Sequence, residues 1–180
     1  MSKKFVIGID EVGRGSLAGP VMVAAVVLSK NFQFFGLKDS KQLSPKKREI
    51  WFQIVKKNSI FYATAKVSPK VIDRRNITWA ANLAATRALF RLRLLIDFEL
   101  VSEIMLDGGL KLFDLPNRNL KARTIIHGDE KINAIKLASI VAKVKRDRLM
   151  RNLDKKYLFA IAILILLFLV VGFVSGCSIT

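Results

Sequence analysis

The chain has 180 residues, enough for one domain with a real core, and sets 31 Lys+Arg against 14 Asp+Glu, a formal net charge of +17. That excess says little about fold, but it argues for a polyanionic partner, either nucleic acid or an anionic membrane surface. The lone cysteine, Cys177, excludes an internal disulfide and fits a reducing compartment.

Met1-Ser-Lys-Lys has the basic character of a signal-peptide start, yet the apolar run that follows is broken by Asp10 and Glu11. No cleaved secretion signal is expected. That run, Phe5 to Ile9, has the length and branching of a buried strand, and Gly13-Arg14-Gly15 beyond it favours a turn. Taken alone, two acids before a glycine turn describe a strand terminus. Buried charge, however, must be paired or bind a cation. Alternation sends Asp10 and Glu11 to opposite faces of an ideal strand, so both reach one ion only if the strand ends or bends there.

Val21 to Leu28 reads as a second strand, followed by a polar loop over Gly36 to Leu43. Ser44 is placed to cap a helix that opens on Pro45 and runs to about Lys57. Ile60 to Val67 reads as a third strand, Pro69 to Asp73 as a helical turn, and Asn76 as the cap of a long helix to about Ile96. Ser102 to Asp107 is a second strand ending in an acid, and Ala122 to Ile126 a fifth short strand leading into His127-Gly128-Asp129. A last helix is expected from about Lys131 to Lys156, with Ser139, Lys143 and Asp147 on one stripe. The order describes an α/β domain with a mixed sheet of about five strands flanked by helices. If the two acid-ending strands are sheet neighbours that finish on the same side, their carboxylates meet. Asp129 is by itself an N-cap candidate, but with Asp10, Glu11 and Asp107 it makes four acids able to converge.

These motifs carry a resemblance. Asp10-Glu-Val-Gly-Arg-Gly-Ser-Leu-Ala-Gly-Pro20, Asp39-Ser-Lys-Gln-Leu43, Asn76-Ile77, Leu106-Asp-Gly108, Gly128-Asp129 and Ala138 to Asp147 resemble ribonuclease HII, in that family's order, from residue 5 to about 157. The resemblance implies a ribonuclease H-like fold. It also implies an endonuclease that hydrolyses the RNA strand of RNA–DNA hybrids and ribonucleotides embedded in duplex DNA, leaving 3′-hydroxyl and 5′-phosphate ends. Carried over residue by residue, it makes Asp10, Glu11, Asp107 and Asp129 the catalytic metal ligands, with Asp147 the alternative fourth acid. The ion expected is Mn²⁺ or Mg²⁺, and hard oxygen donors without a His or Cys cluster point the same way. Gly13, Arg14 and Gly15 are the implied contacts to sugar-phosphate and 2′-OH, and Lys41, Ser139 and Lys143 the implied phosphate contacts. No protein partner is implied, and the compartment expected is the cytoplasm.

After Tyr157 the pattern departs. Where the family continues into a Gly-Tyr-Gly-Thr-like loop, whose tyrosine serves the deoxyribose–ribose junction, this chain runs apolar from Leu158 to Val174. Such a helix is about 26 Å long, close to a hydrocarbon core of about 30 Å. The expected division is therefore a catalytic domain over 1–157, C-terminally truncated, and an apolar tail over 158–180. Three readings of the tail stand: a membrane anchor with the domain kept cytoplasmic by Lys155 and Lys156, the product of a reading-frame disruption, or a core helix. The rival to an enzyme, intact or impaired, is a catalytically inactive basic protein that binds nucleic acid or associates with a membrane.

Overall fold

The computed structural model describes residues 4–30, 32, 36–37, 40–58, 60–115 and 120–176, with side chains through 165. The strands are β1 (Phe5–Val12), β2 (Val21–Ser29), β3 (Tyr62–Val67), β4 (Val101–Asp107) and β5 (Lys121–Ile125). They form one sheet in the order β3-β2-β1-β4-β5. β1 to β3 are antiparallel neighbours, whereas β4 runs parallel to β1 and β5 parallel to β4. The helices are α1 (Pro45–Lys57), α2 (Pro69–Arg75), α3 (Ile77–Arg93), α4 (Gly128–Lys131) and α5 (Asn133–Gly176). The mixed five-stranded sheet with flanking helices is the architecture expected from the sequence.

Local chemistry explains the boundaries. The Ser44 hydroxyl accepts from the Lys47 N–H at 3.3 Å and the Asn76 amide oxygen accepts from the Trp79 N–H at 2.9 Å, capping α1 and α3. The alternating sides of the strands feed two cores. Ile7 and Ile9 pack with Ala81, Ala84, Ala88 and Leu92 of α3 on one face of the sheet. Ala24 and Val26 pack with Phe52 of α1 and with Leu137, Ile140 and Val141 of α5 on the other.

Compact packing divides the chain into residues 1–146 and residues 147–180. In the second of these, Tyr157, Leu158 and Phe159 are exposed. α5 stays helical through Gly176, but the side chains of most of the expected apolar tail lie outside the described residues, as does Asp39. Among the described residues no helix is long and apolar enough to cross a membrane, so an anchor finds no support there.

One contact fixes where α5 begins relative to the sheet. A Cβ added at Gly8, in the middle of β1, would lie 2.2 to 2.4 Å from the backbone of Ala134 and Ile135. The helix therefore rests directly on the strand, a close approach that a glycine inside a strand permits. Gly8→Val should destabilise the fold by about 3 kcal/mol or more, the upper end of overpacking costs. A urea denaturation midpoint unchanged from the parent would contradict this packing.

Candidate metal centre

β1 and β4 are parallel neighbours, with Ile9 paired to Leu106, so Asp10 and Asp107, each the next residue along, stand side by side toward the C-terminal end of the pair. Asp129 reaches the same place from the single turn of α4. One carboxylate oxygen from each of Asp10, Asp107 and Asp129 falls within 4.8 Å of the others, a grouping that could hold a cation. Asp10 and Asp129 are buried, at 4% and 2% exposure.

Each acid is held by its own partners. The Asp107 Oδ1 accepts the N–H of Gly128 at 2.7 Å and that of Asp129 at 3.2 Å, tying the end of β4 to the start of α4. The Asp10 Oδ1 accepts the Glu11 N–H at 2.7 Å, and the Ser139 side chain on α5 stands near enough to lower the Asp10 pKa. The Asp129 Oδ2 takes the Lys41 ammonium at 2.9 Å. An ammonium thus already sits on this acidic edge. The Asp129 Oδ1 and the Glu11 Oε2 are buried without a hydrogen-bond partner. Unpartnered buried carboxylate oxygens are costly unless a cation takes them, and an all-oxygen set suits a hard divalent ion such as Mg²⁺ or Mn²⁺. The residues present fit that ion.

Glu11 differs from the expectation. β1 does not end at Ile9; its pairing with β2 continues to Val12 opposite Met22, so alternation is kept. Asp10 stands opposite Ala24 of the α5 face, while Glu11 stands opposite Val23 of the α3 face. Glu11 is therefore outside the close trio, its Oε1 paired to the Arg14 guanidinium at 3.2 Å. Asp147, the alternative fourth acid, is also not among the three.

The remaining candidates separate in the same way. Gly13 lies in the turn at φ +103°, Gly15 is exposed, and Arg14 donates to Glu11 and, at 3.2 Å, to Thr78 of α3. Lys41 is exposed beside Asp129. Ser139 is only 1% exposed, which leaves it no surface for a phosphate. It bonds Ser40 at 2.7 Å, and Lys143 donates to both hydroxyls. Ser139 is buried and Lys143 half-buried, and their mutual bond with Ser40 joins α5 to the segment before α1. The sequence reading missed Ser40, whose position in the Asp-Ser-Lys motif was the available signal. It also missed Arg146, which follows Ser139 by seven residues and so shares its helix face.

Burial pushes the Asp10 carboxyl well above the ordinary carboxylate range; the charges of Glu11 and Asp107 push the same way, and the Ser139 bond pulls back. Glu11 is also raised, first by burial, with Arg14 opposing and Asp107 adding. Both carboxyls thus sit above their unfolded values of about 3.9 and 4.3. Their stabilising contribution is complete below about pH 4 and is lost as pH rises through the folded values. In metal-free protein near neutral pH, Asp10→Asn should raise the melting temperature by about 2–4 °C, equivalent to roughly 1 kcal/mol. Mn²⁺ should raise the parent's melting temperature and leave the variant's nearly unchanged. A metal-free variant that melts below the parent would contradict the electrostatic account.

The family profile described as Ribonuclease HII matches residues 7–163. A ribonuclease HII of Caldicellulosiruptor bescii is 45% identical over 154 residues, covering 86% of this chain and 70% of that relative. The crystal structure of ribonuclease H2 from Pyrococcus horikoshii OT3 superposes with a TM-score of 0.68 at 30% identity, covering 85% of this chain and 77% of that one. The RNase HII of Archaeoglobus fulgidus, solved as a complex with PCNA, gives 0.67 at 28% identity, covering 84% and 76%.

Proposed function

This chain belongs to the ribonuclease HII family and is an endoribonuclease of the phosphodiester-hydrolase type, and from that premise we propose that it cleaves the RNA strand of RNA–DNA hybrids. Ribonucleotides embedded in duplex DNA belong to the same proposed substrate class. The observation that carries the reading is the convergence of Asp10, Asp107 and Asp129 from two parallel strands and a separate one-turn helix.

In this reading Asp10, Asp107 and Asp129 hold the metal, and Glu11 adds its unpartnered Oε2. A pair of divalent cations, when bound, supplies an activated water and absorbs charge on the attacking and leaving oxygens. The protein's own groups do the rest. The backbone of Gly13–Gly15 approaches the sugar-phosphate chain and the 2′-OH, the group by which RNA differs from DNA. Lys41 lies beside the acids and is exposed, so it can exchange Asp129 for a phosphate, which fixes register without reading sequence. Breaking the P–O3′ bond leaves a 3′-hydroxyl on one fragment and a 5′-phosphate on the other.

With a labelled hybrid and Mn²⁺, the parent should cleave the RNA strand, and Asp10→Asn should lower kcat by about 10³-fold or more, as loss of a preorganised electrostatic group does. Binding without cleavage by either protein would support the inactive basic binder instead. Hybrid affinity should also weaken about tenfold or more between roughly 50 and 200 mM salt, because neutralised phosphates release counterions. Affinity indifferent to salt would remove the nucleic-acid partner.

A further inference from the structure

The turn after β1 has little of its own to hold it. Its backbone bond from Ser16 N–H to Gly13 C=O is long, at 3.4 Å. What reaches it from outside is Arg146, on the same face of α5 as Ser139 and Lys143 but two turns beyond Ser139. The Arg146 Nε donates to the Pro20 carbonyl at 3.0 Å and its Nη2 to the Ala18 carbonyl at 2.9 Å. The residue is only 9% exposed, a burial that a guanidinium tolerates when its donors are used. Gly13 closes against the same side chain. A Cβ there would lie 2.8 Å from the Arg146 Nε and 2.9 Å from the Pro20 carbonyl oxygen.

We propose that Arg146 is a positioning residue for substrate discrimination: it is the post around which Gly13 to Pro20 folds, and it sets where the Gly13–Gly15 backbone stands for the 2′-OH. This rests on the reading of that turn as the sugar-phosphate contact. The geometry gives it reach. The early part of α5 is seated on β1 at Gly8, and Ser139 on the same helix stands near enough to Asp10 to lower its pKa. One helix face therefore registers the turn against the acids. On the opposite side Arg14 ties the turn to Glu11 and Thr78, so the loop is pinned at two separated points. A guanidinium fork supplies two donors in a fixed plane, which a lysine ammonium does not reproduce.

The test compares the parent with Arg146→Gln and Arg146→Lys in Mn²⁺, measuring kcat and KM on a hybrid. It also measures Mn²⁺ affinity without substrate, and binding of a hybrid against a DNA duplex of the same sequence. Both variants should raise KM about tenfold, with kcat within about threefold of the parent, the pattern of lost binding with intact chemistry. Mn²⁺ affinity should be unchanged, and the preference for hybrid over duplex should fall about tenfold. Should Arg146→Gln fail to fold, Arg146→Lys alone must give the same signature. Parent-like KM and hybrid preference in variants that fold would overturn the proposal, as would full rescue by lysine. A fall in kcat that tracks lost Mn²⁺ affinity would overturn it too. A parent with no preference for hybrid would instead remove the substrate reading itself, and with it the proposal.

Discussion

Burial of carboxyl groups at one end of the sheet is the constraint around which this molecule is built. Asp10, Asp107 and Asp129 each bring an oxygen within 4.8 Å of the others, and burial first, then the charges of Glu11 and Asp107, push the Asp10 carboxyl up. Nothing in the core needs them there. The fold spends stability on this edge, and the framework that keeps the acids in place is correspondingly over-determined. Parallel pairing of β1 with β4 fixes two of them, and two backbone N–H groups fasten the third to the second. The Lys41 ammonium offsets part of the charge, yet two buried oxygens keep no partner.

The same face of α5 serves this edge at several levels. Its start rests on Gly8, Ser139 touches Asp10, Lys143 gathers Ser40 and Ser139, and Arg146 holds the turn after β1. Ser139 and Lys143, which the spacing places on one stripe with Asp147, bond each other and Ser40. Positive charge on this helix thus has two physical uses. Some of it belongs to the excess that suits a polyanion, and some is consumed in bonds to hydroxyls and carbonyls.

Much of this was legible beforehand because the signals were local. Ser44 and Asn76 announce helix starts by their own side chains, and the two acid-ending strands suggested a shared edge before their pairing was known. What escaped depended on partners distant in the chain. Whether β1 stops at Ile9 or runs on to Val12 is decided by β2, so Glu11's face could not be read from its own neighbourhood. The burial of Ser139, which the resemblance makes a phosphate contact, could not be read from the helix period, because it involves Ser40, 99 residues away. Arg146 gave no sign beyond its spacing, since its two acceptors lie 126 and 128 residues away.

The central claim is that these acids stand together because they share cations. Crystals grown with Mn²⁺ and measured at the manganese absorption edge test it most directly. The account predicts anomalous peaks within coordinating distance of Asp10, Asp107 and Asp129, with the Lys41 ammonium displaced from Asp129. Strong manganese peaks elsewhere and none at this edge, at saturating metal, would contradict it.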